Sequence, residues 1–242
     1  MLTDREKVEY TLLNLLTESE IPMGSVTLSL LLKERNLDVS GATVGRMLSE
    51  FDYKGLTSKR GFKGRILTET GQKLLSELED RQQIAEYSTK LYESIDAKSK
   101  DNLLNVLIAR RGIERETARL AATRATAEDM AELHGICRSQ HESLESSVSA
   151  EKDVQFHQCV ARASKNMVLA TAYDFIWQNK KLSPVMEFIR LNVGGRVVVD
   201  HDRIVQALVA RDPDDAEVSM MQHIDSLIDD VNKYWHRVHK GM

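Results

Sequence analysis

Residues 40–68 read SGATVGRMLSEFDYKGLTSKRGFKGRILT, and they decide the fold of the N-terminal third of the chain. Ser40 is placed to cap a helix whose apolar positions, Val44, Met47, Leu48 and Phe51, recur at helical steps, with Gly55 as its stop. Beyond it, two short β-prone pieces flank Gly61-Phe62-Lys63-Gly64, which reads as a hairpin. Upstream, Asp4 caps a helix with Val8, Leu12, Leu15 and Leu16 inward, and Ile21 to Gly24 break it. A short helix from Ser25 turns Leu28, Leu31 and Leu32 inward, and Asn36 and Asp38 mark a turn. Downstream, Thr68 caps a helix ending near Leu78. Helix, helix, turn, helix, hairpin is the order of a winged helix-turn-helix.

The charges agree with that order. From Lys54 to Thr68 there are five basic residues and no acidic one, whereas residues 1–80 as a whole hold 11 basic and 13 acidic side chains. A hairpin carrying Lys59, Arg60, Lys63 and Arg65 without acids suits contact with the phosphates of double-stranded DNA. On the outward face of the preceding helix, Ser40, Thr43 and Arg46 are in reach of base edges or phosphates. A net charge of −4 excludes a uniformly basic coat but not a local patch.

The charged stretch EDRQQ, residues 79–83, marks a seam between a domain of residues 1–80 and one of residues 81–242. The second part reads as helices almost throughout, near 84–95, 99–123, 126–146, 150–165, 167–190, 201–210 and 213–237, with LNVGGRVVVD (191–200) as the clear break. Five per cent aromatic residues and a bias to Leu, Ala, Glu, Lys and Arg fit a mainly α protein. The fold class is therefore an N-terminal winged helix followed by an all-α bundle. Two cysteines, Cys137 and Cys159, exclude a disulfide framework and a four-cysteine zinc site. No apolar run reaches the length of a membrane span, and the charged start MLTDREKVEY is not a secretory signal, so the expected location is cytoplasmic.

Several polar residues fall on stripes that should be core. Arg110 completes the seam Leu103, Val106, Ile113, Thr117, Leu120. There it serves either a salt bridge to a neighbouring helix or a carboxylate ligand, which guanidinium matches bidentately. Asp153 and His157, four apart, share an inward face with Val160, Ala161 and Ser164. His201 lies on the stripe of Ile204, Val205 and Leu208, and His223 on that of Met220, Leu227 and Val231. The two histidines stand 11 residues either side of Asp212 in an Arg211-Asp212-Pro213 turn, so an antiparallel helical hairpin sets them at one height. One oxygen and three nitrogens make a possible site for a divalent transition metal: zinc, nickel, manganese or iron. His134, His141, His236 and His239 lack this phasing and read as surface residues.

Residues 8–75 resemble the winged-helix domains at the N-terminus of ribonuclease R and of some transcription regulators, through VSGATVGRML and the ILTETG exit from the wing. Residues 84–237 resemble the FCD effector domain of FadR-type regulators in the GntR superfamily. That resemblance rests on ARRGIERETARLAATRATAEDM, DVQFHQCVARASKN and HDRIVQALVARDPDDAEVSMMQHI. The LPSE entry and VSR recognition helix of GntR winged helices are absent. The resemblance implies one metal ion per chain held by Asp153, His157, His201 and His223, a small carboxylate effector met by Arg110, and Asn166 beside the pocket. It further implies a ligand-responsive, homodimeric transcription regulator on operator DNA, not an enzyme. The alternative is a metal-dependent enzyme acting on a small organic acid and tethered to a winged helix.

Overall fold

The computed structural model describes residues 2–19, 21–142, 149–179, 182–194 and 198–240. Two compact units divide the chain, Met1–Lys90 and Leu91–Met242.

In the first unit, α1 (Asp4–Glu18), α2 (Ser25–Glu34) and α3 (Gly41–Tyr53) precede strands β1 (Thr57–Lys59) and β2 (Arg65–Leu67), and α4 (Glu69–Ser94) follows. Thr3, not Asp4, caps α1: its hydroxyl takes the Glu6 amide while the Glu6 carboxylate takes the Thr3 amide, satisfying two otherwise orphaned donors. Ser40 caps α3 by accepting from the Thr43 amide. Leu12, Leu13, Leu28, Leu32, Val44, Leu48 and Phe51 meet in one core, the apolar faces of all three helices. The strands pair antiparallel in the register Thr57↔Leu67, Ser58↔Ile66, Lys59↔Arg65, with a 3-10 turn over Gly61–Lys63. Met23 adds a one-residue bridge to Arg65 on the outer edge. These elements form the expected winged helix.

Gly64 makes that edge possible. Its φ of 123° suits only glycine, and a methyl there would overlap the Met23 carbonyl. Gly64→Ala is therefore expected to destabilise the unit by roughly 1–3 kcal/mol. Gly45→Ala, inside α3 with its nearest neighbours 3.8 Å from the new methyl, is expected to be neutral or mildly stabilising. Thermal melts of the two variants check both signs.

The expected helices 68–78 and 84–95 are one helix, α4. Glu, Arg and Gln are good helix formers, the single Asp is only mildly unfavourable, and EDRQQ contains no Gly or Pro to stop a helix. In the second unit follow α5 (Lys100–Arg124), α6 (Ala127–Glu142), α7 (Ser149–Ala163), α8 (Met167–Ile176), α9 (Leu182–Val193), α10 (Val198–Val209) and α11 (Pro213–Lys240). The expected helix 167–190 is two, because Pro184 lacks an amide hydrogen and is accommodated in the first turn of α9. Helix α9 runs on into the expected break and ends at Gly194, whose φ is 78°. Residues 143–146 of the expected helix 126–146, residues 195–197 of the break and the His141 side chain lie outside the described residues. His134, His236 and His239 are exposed.

Thr126 and Asp129 exchange amide hydrogen bonds at the start of α6, as their spacing suggests. The α10–α11 turn closes with Arg211 at φ 57° and Asp212 accepting from the amides of Asp214 and Asp215. Helix α11 packs along α5, α10 against α11, and α7 against both α5 and α6. Leu103, Leu107, Leu133, Phe156, Ile204, Leu208, Ile224 and Leu227 fill the space between them. Among the described residues, no helix is long and apolar enough to cross a membrane.

Candidate metal centre and nucleic-acid interface

Four helical side chains converge inside the bundle. Asp153 and His157 come from α7, His201 from α10 and His223 from α11. One ligand atom from each lies within 4.8 Å of every other. All three imidazoles are buried. His157 Nε2 stands 3.1 Å from His223 Nε2, and Asp153 Oδ1 stands 3.3 Å from His201 Nε2 and 3.8 Å from His157 Nε2. The equal arms about Asp212 do bring His201 and His223 together, with ring centres 4.7 Å apart and planes inclined by 55°.

On two of the three imidazoles the ring nitrogen that faces away from the cluster meets an acceptor on another helix. His201 Nδ1 lies 2.9 Å from the Gln140 side-chain oxygen on α6, so it carries the proton and leaves a lone pair on Nε2. His157 Nδ1 lies 2.6 Å from Glu114 Oε2 on α5, an oblique contact that places its proton on the same side. Burial pushes the His201 imidazole below its ordinary value, which keeps it neutral. Burial works against the Asp153 charge, whereas His201, His157 and His223, when protonated, would more than offset it and hold that carboxyl well below the usual range. Neutral imidazoles and an ionised carboxylate are what a divalent transition metal requires. Asp153 Oδ1 and His201 Nε2 are buried and make no well-aligned hydrogen bond to protein, so two polar atoms aimed at the same point lack partners. The donor set fits a metal ion. Cys159 is no ligand; burial pushes its thiol up to about 12.

Arg110 is 1% exposed, and its partner is not on a neighbouring helix. Glu114, one turn along α5 and equally buried, accepts from Nε at 2.5 Å and from Nη2 at 3.3 Å. The guanidinium also lies over the Trp177 ring, 4.9 Å from its centre. Burial opposes the Glu114 charge, yet Arg110 and then His157 hold its carboxyl down to about 2. Tyr173 is fully buried beside them, its ring centre 6.3 Å from that of His157 and 6.2 Å from that of Trp177. Asn166 caps α8, its side-chain oxygen accepting from the Val168 and Leu169 amides. Glu114, Gln140, Tyr173 and Trp177 were not expected here. For Glu114 a signal existed, since it stands four residues after a core arginine on the same face. Ile113 and Leu120 are only partly buried, and the inward face runs instead through Glu114 and Ala121.

On the winged helix, Arg46 is exposed on α3 and donates to Thr43, whose hydroxyl lies 3.0 Å from that of Ser40. Arg60 and Lys63 are exposed at the wing and form no ion pair with described residues. Phe62, fully exposed between them, was not singled out from sequence. Lys59 stands 3.8 Å from Asp52. Arg65 differs from the other three cations: it is half-buried and bonded through Nε to both Asp52 oxygens, at 3.0 and 2.9 Å. It ties the wing to α3 instead of standing free at the surface.

The FCD domain model matches residues 105–226, half of the chain. The chain belongs to the FCD family. The matched span of this FCD protein holds Arg110, Glu114 and all four clustered residues, Asp153, His157, His201 and His223. The ribonuclease R winged-helix domain matches residues 10–75. The Exu regulon transcriptional regulator of Escherichia coli (strain K12) is 33% identical over 125 residues, covering 50% of this chain and 48% of that protein. The Uxu operon transcriptional regulator of the same strain is 28% identical over 130 residues, covering 50% and 51%. The chain thus spans about half the length of the curated relatives it matches. Among solved structures, a Streptococcus agalactiae GntR protein aligns over 93% of this chain and 98% of its own, with 19% identity and a TM-score of 0.47.

Proposed function

We propose that this chain is a ligand-responsive transcription regulator. Residues 1–80 bind double-stranded operator DNA, and residues 81–242 hold one divalent transition metal and a small carboxylate effector. The observation that carries this reading is the convergence of Asp153, His157, His201 and His223 within the matched FCD span. In this reading these four residues hold the metal, which supplies a positive centre for an anionic ligand. Arg110 meets the far end of the carboxylate through guanidinium nitrogen not used by Glu114, and Asn166 lines the approach. Relatives are named as transcriptional regulators, which favours this over a metal-dependent enzyme acting on an organic acid. In this reading the chain works in the cytoplasm, as its bacterial relatives' role as transcriptional regulators suggests.

The effector acts through its differential affinity for DNA-competent and DNA-released states. One winged helix contacts too little DNA for a tight specific site, so the working form is a homodimer on a two-fold operator. Sedimentation of the full chain, with footprinting on the DNA upstream of its own gene, tests this. A single protected two-fold site, released by a carboxylate only when metal is present, is the expected result. A monomer with full DNA affinity, or protection nowhere, contradicts it.

Arg46, Ser40 and Thr43 face bases or phosphates from α3, and Lys59, Arg60 and Lys63 hold phosphates from the wing. Arg46→Ala is expected to weaken the operator complex by roughly 1–3 kcal/mol while leaving random duplex nearly unaffected. Lys63→Ala is expected to weaken both alike and flatten the salt dependence. Arg65→Ala is expected to act mainly on the fold, because its guanidinium is committed to Asp52. Anisotropy titrations at several salt concentrations separate the three.

A further inference from the structure

Glu114 is shared. One carboxylate, 1% exposed, accepts from Arg110 on its own helix and stands 2.6 Å from His157 Nδ1 on α7. The other side of the cluster repeats the device with Gln140, whose side-chain oxygen lies 2.9 Å from His201 Nδ1. Both contacts fall on the nitrogen that faces away from the cluster. The Gln140 bond fixes that tautomer on His201, and on His157 the close though oblique approach of the Glu114 carboxylate favours the same one, so that both Nε2 lone pairs turn toward Asp153 and His223. A charged acceptor holds an imidazole N–H more strongly than a neutral amide and raises the basicity of the opposite nitrogen.

We propose that Glu114 is a positioning residue for the metal centre, with Gln140 its weaker counterpart, and that the same carboxylate joins the metal ligand His157 to Arg110. This rests on the metal-binding reading above and adds to it a residue that touches no metal. Because Glu114 grips both groups, a carboxylate taken up by Arg110 alters the hold on His157. Metal and ligand then affect each other's binding by the same factor.

The test uses the full chain, zinc titrated in competition with a chromophoric chelator, and the visible absorption of the cobalt-loaded protein. Glu114→Gln is expected to weaken zinc binding about 10–100-fold and to shift the cobalt bands, and Gln140→Ala to do so by a smaller factor. Glu114→Gln also leaves Arg110 buried without its counter-charge, so a fold defect alone would weaken binding. The double variant Arg110→Met with Glu114→Gln removes that charge. Weak zinc binding and shifted cobalt bands that persist in the double variant support positioning through His157. Wild-type affinity and spectrum in either variant overturn it, while leaving the metal site itself intact. A wild-type chain that takes up no zinc overturns both readings together.

Discussion

His223→Ala is expected to abolish stoichiometric metal uptake and, with it, the response to carboxylates. The imidazole is fully buried, with Nε2 3.1 Å from that of His157, and no other described histidine or cysteine stands in reach to replace it. An ion present at a thousand times its dissociation constant stabilises the state that binds it by about 4 kcal/mol. At roughly 2–4 °C per kcal/mol for a unit of this size, loss of that stabilisation lowers Tm by on the order of 10 °C. The comparison that decides is calorimetric. Wild type should lose this margin in chelator, and the variant should melt at nearly the same temperature with or without it. Elemental analysis supplies the second readout. A variant that retains one metal per chain rules out the assignment of His223.

Arg110→Ala is expected to leave the metal in place and to cost the fold heavily. Arg110 heads the fully buried side chains by volume among the described residues, and its removal leaves the equally buried Glu114 carboxylate without its cation. Deleting one member of such a pair costs about 3–5 kcal/mol, because the survivor keeps its desolvation penalty and loses its compensation. Replacing both members by apolar or neutral groups of similar volume should recover much of that loss. Urea denaturation of the single and paired variants measures it. Carboxylate binding should disappear in both, whereas zinc stoichiometry should remain one per chain in Arg110→Ala. A single variant within about 1 kcal/mol of wild type would show that the pair contributes little.

The winged helix was legible because its signals are local. Ser40 as cap, Gly55 as stop and glycines around a four-residue tip act within a few residues, and the structure follows them. The cluster of four candidate ligands was legible for a related reason. Helical phase is enough to turn Asp153, His157, His201 and His223 inward, and the short α10–α11 turn sets the height of two of them. Where breaks had to be placed, the reading was weaker. EDRQQ looks like a linker by polarity yet continues a helix, and Pro184 was passed over although it divides one. Gln140 carried no signal at all, since an amide on an otherwise ordinary face becomes informative only once His201, 61 residues away, is known to meet it. Sequence offers Arg110 a partner on a neighbouring helix or a carboxylate ligand, whereas a carboxylate four residues along the same helix meets it with less chain to order.

The Arg110–Glu114 pair also limits the mutational routes open to descendants of this chain. A lineage that loses either member first passes through a state with a lone charge in a dry interior, and selection on folding alone removes most such intermediates. Departures from the pair should therefore occur as joint replacements, or follow an earlier change elsewhere that gave stability to spare. Exposed neighbours on the same helix, such as Arg115, carry no such restriction and are free to drift one at a time. The two positions behave as a single heritable character, and altered ligand preference is expected to evolve around them rather than through them.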